Sequence, residues 1–342
     1  MFGTLRYFLA MMVVVGHLWP QLVPNMGSYA VFAFYTLSGY LMTLVLKSAY
    51  RHANGTWHFL TNRALRIYPP YIAVLFMSII IFYSIRTIPE EFNFFRLPVS
   101  YNDWLKNIFI FGLKAGAAKP KLVGVAWTLY VELFYYVTMA FFLVRTRITT
   151  IIWFCASILF TGYTIVRGYD FALRYETLIA GSLPFSTGAM IYLFKDELRI
   201  ITKKYFIIII ALYSLNLVLT RRLGWEYMNL AGLYVSYILS ACAIIYLADV
   251  SSVNRPRWFA QFDQFLGDLS YPIYLCHWPV AIYISCIFYS GILPRSSRLF
   301  FVSIIFINVI SLIIHVLIEK NVNRVRARVK TQGIHLRLPP SR

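Results

Sequence analysis

Long apolar runs constrain this chain more than any other feature. A helix needs about 20 mostly apolar residues to cross a bilayer. Ten segments approach that requirement: 5–24, 28–46, 70–86, 122–144, 148–166, 175–194, 204–220, 227–249, 270–290 and 298–318. In hydrocarbon every backbone N–H and C=O must be paired within its own segment, so these runs are expected to be helices. They are too continuous in their apolarity for alternating barrel strands. Composition agrees, with 60 % of residues apolar, only 13 % charged and a mean hydropathy of +0.66. One soluble core cannot hide that much apolar surface. The expectation is an all-α polytopic membrane protein with about ten transmembrane helices. Residues 1–319 would form the membrane domain and 320–342 a basic cytoplasmic tail that rests on anionic lipid or is loose.

The chain carries 32 Lys and Arg against 13 Asp and Glu, a formal charge of +19. In a membrane protein this excess reads first as topology anchors and as attraction for anionic lipids or ligands. With ten spans both termini share a side, and twenty of the 32 basic residues fall there, which predicts cytoplasmic termini. No soluble segment is long enough to build a nucleic-acid-binding face. Cys155, Cys242, Cys276 and Cys286 sit in apolar runs and suggest neither disulfides nor zinc, and no metal is expected. The first apolar run has no small-residue cleavage site and reads as a retained span. Two connections are long. Residues 47–69, closed by Pro69-Pro70, read as a short interfacial helix that the prolines stop. Residues 87–121 hold an apolar stretch, 104–113, that is too short to span and would re-enter the membrane or cover a cavity mouth.

Ionisable groups inside spans are disfavoured by about 2.5–3.5 kcal/mol on insertion scales, so each demands a reason. Of the thirteen acids only Glu132 lies deep in a span. It needs a cation, a hydrogen-bond donor or a proton; an interhelical hydrogen bond that fixes packing would also explain it. His17 lies in the first span, eleven residues after Arg6. Eleven steps of about 100° return to nearly the same helix face, about 16 Å further along the axis. A neutral imidazole there can take a proton from a hydroxyl; a water-satisfied interfacial histidine is the plainer alternative. Arg63 and Arg66, three apart, point the same way and suit a phosphate clamp as well as simple positive-inside anchoring. His277 fits a structural or a ligand role, and His315 reads as packing. Ser38-Gly39 would permit close helix approach. No P-loop, GxSxG elbow or HExxH is present.

Five motifs in order then resemble the integral-membrane acyltransferase family 3, which O-acylates sugars of bacterial surface glycans and some small molecules. They are Arg6 with His17; Phe34-Tyr35-Thr36-Leu37-Ser38-Gly39-Tyr40; Arg63-Ala64-Leu65-Arg66-Ile67-Tyr68-Pro69; Trp127 through Glu132; and Ser270 through His277, which contains Tyr271. The resemblance covers nearly the whole chain. Departures are Leu18 and Trp19, where many members have a second polar residue, and Thr128 and Tyr130 in place of serines. The tail is also too short for the soluble esterase-like domain of fused members.

The resemblance implies an O-acyltransferase of the bacterial inner membrane. The donor would be an acyl-CoA, most often acetyl-CoA. The acceptor would be a hydroxyl of an exopolysaccharide or other surface glycan, or of its lipid-linked precursor, with a lipid A-type glycolipid of lipopolysaccharide or a secreted metabolite as alternatives. Glycan-synthesis machinery would be a partner. His17 is expected as general base or acyl carrier, with Glu132 orienting it. Arg6, Arg63, Arg66 and Tyr68 are expected at the donor, and Ser38, Trp127, Tyr271 and His277 in substrate binding or structure. A transporter or flippase of a lipid-linked sugar, or a scaffold subunit, are the competing readings.

Overall fold

The computed structural model describes residues 1–50, 54–85, 88, 90–116, 120–202, 205–250, 256–289 and 294–335. Arg51, Lys203, Lys204 and Arg255, which enter the orientation argument, and Pro339-Pro340 lie outside them. The described residues are helical, without a strand. The helices are α1 (Phe2–Leu18), α2 (Met26–Ser48), α3 (Gly55–Ser84), α4 (Tyr101–Phe109), α5 (Ala126–Thr138), α6 (Arg147–Val166), α7 (Ser182–Leu193), α8 (Lys195–Thr202), α9 (Phe206–Tyr227), α10 (Leu233–Val250), α11 (Arg257–Phe288), α12 (Ser297–Ile314) and α13 (Lys320–His335).

Among the described residues, seven helical stretches are long and apolar enough to cross a membrane, where the sequence suggests ten. All ten expected segments are largely helical, but α1 has 17 residues and α7 only 12. Phe206–Val250 holds two helices, α9 and α10, folded back on each other across a kink. Gly224 marks the bend with φ 73° and ψ −149°, a conformation open to glycine. The Asn216 amide donates to the Gly232 carbonyl at 2.9 Å, and the Tyr227 hydroxyl donates to Asn216 Oδ1 at 2.8 Å, which ties α9 to α10. The molecule is a multi-pass membrane protein.

Two helix pairs organise the centre, α2 with α7 and α1 with α11. Gly39 and Gly188 explain the first: a Cβ on either would collide with backbone of the opposite helix. Small residues let helices approach in this way where lipid offers no hydrophobic drive. The second pair is fastened at the start of α1. That helix has no N-cap side chain of its own. Asp263 of α11 supplies the cap, accepting from Gly3 N at 3.2 Å, Thr4 N at 2.8 Å and Thr4 Oγ1 at 2.7 Å. Thus α1 runs alongside α11, which brings residues about 260 apart in sequence into register.

Two expectations about the connections change. Pro69-Pro70 does not stop a short helix; α3 continues through both prolines. A proline inside a helix loses a backbone bond, and a membrane helix tolerates this where neighbouring groups supply partners. The carbonyls left without a backbone donor are those of Leu65 and Arg66, and on the next residue the Tyr271 hydroxyl of α11 donates to the Ile67 carbonyl at 3.0 Å. The tail is also docked and not loose over its described length. α13 continues from α12 and packs along α3, with the Asn62 amide donating to the Arg326 carbonyl at 3.2 Å. In the 87–121 connection, α4 reaches half-way along α3. The Tyr68 hydroxyl donates to the Phe109 carbonyl at 2.8 Å, and Tyr71 donates to the Asn107 carbonyl.

Candidate active site

Two polar cavities among the described residues lie along α1, which also borders an apolar one between α9, α10 and α11. The first polar cavity, of about 80 Å³, lies at the start of α1 between α1, α2, α3, α5 and α11. It gathers Arg6, Arg63, Arg66, Ser38, Glu132 and Tyr271. The i, i+3 spacing does place Arg63 and Arg66 on one face, turned towards Arg6. Glu132 accepts from Ser38 Oγ at 2.9 Å and from the Tyr136 hydroxyl, one helical turn along its own helix. Arg63 is 7 % exposed, stacks over Phe59 at 5.4 Å, and has a buried Nε with no hydrogen-bond partner among the described residues. Three guanidinium groups therefore face one carboxylate. Buried like charges repel strongly in low dielectric, so the cavity is short of negative charge.

The second cavity, of about 260 Å³, lies at the other end of α1. It is lined by His17, Trp127, Trp278, Phe94, Lys121 and Arg295, with Glu91 beside Arg295. His17 does not face lipid. Its ring stacks on His277 with centroids 5.1 Å apart and packs against Trp278 at 4.9 Å. His17 Nδ1 lies 2.9 Å from His277 Nε2, and His277 Nδ1 lies 2.8 Å from the Tyr274 carbonyl.

That chain of contacts fixes the tautomers of a neutral pair. A carbonyl only accepts, so His277 Nδ1 carries the hydrogen and its Nε2 carries the lone pair. His277 Nε2 then accepts from His17 Nδ1–H. His17 Nε2 is left as a lone-pair acceptor, the form a proton-abstracting imidazole needs.

The first cavity is also lined by Thr128 and Tyr274, hydroxyls 2.5 Å apart, with Phe34 edge-on to the Tyr274 ring at 6.0 Å.

The structure brings together Arg6, Arg63, Arg66, Ser38, Glu132 and Tyr271 in one cavity, and His17, His277 and Trp127 at the other. It does not bring Glu132 to His17. No hydrogen bond or ion pair among the described residues joins them, and the partner of His17 is His277. Nor does Tyr68 line the arginine cavity, because its hydroxyl is engaged by Phe109. His315, expected as packing, is buried and pairs with Glu319 at 3.1 Å. Sequence reasoning did not single out Tyr136, Tyr274, Lys121 or Arg295. Tyr136 was legible as the i+4 neighbour of Glu132; Lys121 and Arg295 carry no signal beyond their charge. Lys121 is 3 % exposed and donates to the Lys114 carbonyl at 3.0 Å and to the Gly116 carbonyl. Burial lowers its pKa to about 8, and nearby Glu176 acts the other way.

A family profile described as an acyltransferase domain matches residues 2–318. No curated protein and no solved structure matches the chain. With its membrane-spanning helices and a match over nearly its whole length, the chain belongs to the acyltransferase 3 family and is a membrane acyltransferase.

Proposed function

We propose that the protein moves an acyl group, acetyl in the first instance, from acyl-CoA to a hydroxyl of a cell-surface polysaccharide or its lipid-linked precursor in the plasma membrane. The observation that carries this reading is that one helix, α1, places Arg6 in a cavity short of negative charge and His17 in a second cavity with its Nε2 free. The arginine cavity suits the phosphates of a CoA, since guanidinium forks bind phosphate oxygens in pairs. The aromatic walls of the histidine cavity, Trp127, Trp278 and Phe94, suit the apolar faces of a sugar ring.

In the reaction, His17 Nε2 takes the proton of the acceptor hydroxyl as the oxygen attacks the thioester carbonyl carbon. The tetrahedral adduct collapses, the C–S bond breaks, and the imidazolium returns the proton to the leaving sulfur. His277 is a positioning residue that holds His17 in the tautomer required. Glu132 serves the donor end: it accepts from Ser38 and Tyr136 and sets a negative charge among the arginines. Holding thioester and hydroxyl together in a dry site supplies much of the remaining acceleration.

The test is labelled acetyl-CoA with purified protein. Binding is expected in the wild type and lost in Arg63→Ala with Arg66→Ala, and acyl transfer is expected to disappear in His17→Ala. Unchanged binding in the double variant would instead favour transport of a lipid-linked sugar.

A further inference from the structure

The arginine cavity has a fourth cation next to it, contributed by a helix that begins after the family match ends at residue 318. Arg326 of α13 lies half-buried against α3, within electrostatic range of both Arg63 and Arg66. Its side chain is held and not adrift. Nε donates to Asn62 Oδ1 at 3.1 Å, and Nη1 donates to Asn323 Oδ1 at 2.6 Å. Nη2 has no partner among the described residues.

The local charge inventory is unbalanced. Among the described residues, Glu132 acts on Arg6 and Arg63 and Glu319 on Arg326, and Glu319 is engaged by His315 at 3.1 Å. Four guanidinium groups held together against repulsion, one with a buried unpartnered Nε and another with a free Nη2, form a receptor for more than one oxyanion. Their order along α3 matters. Asn62, which anchors Arg326, precedes Arg63 and Arg66, and Tyr68 beyond them already contacts α4. Arg326 therefore stands at the end of the row remote from the histidine cavity. In an acyl-CoA the group most remote from the thioester is the nucleotide with its 3′-phosphate.

We infer that Arg326 completes the donor site by binding the 3′-phosphate of the CoA nucleotide, leaving Arg63, Arg66 and Arg6 for the pyrophosphate. This rests on the acyl-CoA reading above. The same oxyanion chemistry is offered by the phosphate of a membrane lipid, and the experiment separates the two.

The experiment is equilibrium binding of CoA and of 3′-dephospho-CoA to the full chain in lipid nanodiscs. The wild type is expected to prefer CoA by about tenfold or more, the range of a charge-assisted hydrogen bond. Arg326→Gln is expected to abolish most of that preference while leaving 3′-dephospho-CoA affinity within about twofold. The Asn62 bond to the backbone carbonyl of residue 326 survives this change, so α13 keeps its dock. Arg326→Lys is expected to retain part of the preference.

Equal weakening of both ligands in Arg326→Gln would mean a merely structural contact and overturn the inference. A preference that survives the change would do the same and point to lipid phosphate. Failure of the wild type to bind either ligand would overturn the donor reading itself, a result distinct from both.

Discussion

The two cavities on α1 solve opposite electrostatic problems. At one end, Arg6, Arg63 and Arg66 surround a single carboxylate, and a buried guanidinium nitrogen goes unpaired among the described residues. At the other, His17, His277 and the Tyr274 carbonyl form an unbroken run of hydrogen bonds in which each group meets its complement. An unpaired buried donor is costly, by about 1–3 kcal/mol, so the first cavity gains by receiving a ligand. The second is already organised and gains nothing electrostatically until a proton has to move. On the proposed function, the contrast suits binding at one end and chemistry at the other.

The comparison breaks most visibly at His17. In His17→Ala, turnover is expected to fall by about 10²–10⁴-fold while CoA affinity stays put, read by single-turnover kinetics beside equilibrium binding. A matched fall in affinity would mean the two ends are not separate. Arg63→Gln should do the reverse. The CoA dissociation constant is expected to rise about tenfold or more, with saturated turnover nearly intact.

His277→Phe keeps an aromatic ring under His17 but removes the acceptor at 2.9 Å. Turnover is expected to drop about tenfold, with the apparent pKa of the pH–rate profile displaced, because His17 can then adopt either tautomer. Glu132→Gln sharpens the same division. It is expected to change CoA affinity by a few fold and leave the pH–rate profile in place. A displaced profile would return Glu132 to His17 as the sequence suggested.

The smallest effect belongs to Lys121, at the mouth of the histidine cavity. Its pKa of about 8 lies below the ordinary lysine value. Below pH 8 the amine is charged both folded and unfolded, and the burial penalty is fully felt. Between pH 8 and the ordinary lysine range the folded chain has released a proton that the unfolded chain still holds, so stability rises with pH. The neutral amine still donates to the Lys114 and Gly116 carbonyls. Thermal melts should therefore show the wild type gaining on Lys121→Met across that interval. Parallel curves would mean the amine is not desolvated.

Much of this was legible before any coordinates. Apolar run length announces helices because lipid leaves the backbone no other way to pair. Arg6 and His17 share α1, and Arg63 and Arg66 share a face of α3, because helical spacing is local arithmetic. What escaped depends on partners far away in sequence. The prolines at 69 and 70 read as a stop by the rules of soluble helices, yet α3 runs through them beside a hydroxyl that Tyr271 brings from α11. Glu132 was paired in expectation with the most interesting histidine. The structure pairs it with Tyr136, four residues on, and with Ser38 of α2. The His17–His277 contact spans 260 residues, and no periodicity within α1 or α11 reports it. Arg326 sat in a segment whose basic character alone suggested lipid contact.

Tyr274 ties the two halves together through a single residue. Its hydroxyl meets Thr128 in the wall of the arginine cavity, and its carbonyl anchors His277 beneath His17. Any backbone movement of α11 that widened the passage for an incoming thioester would be felt at that anchor in the same instant. On the proposed function, admission of the donor and readiness of the base would be geared to one another, and a substitution at Tyr274 would be expected to disturb both.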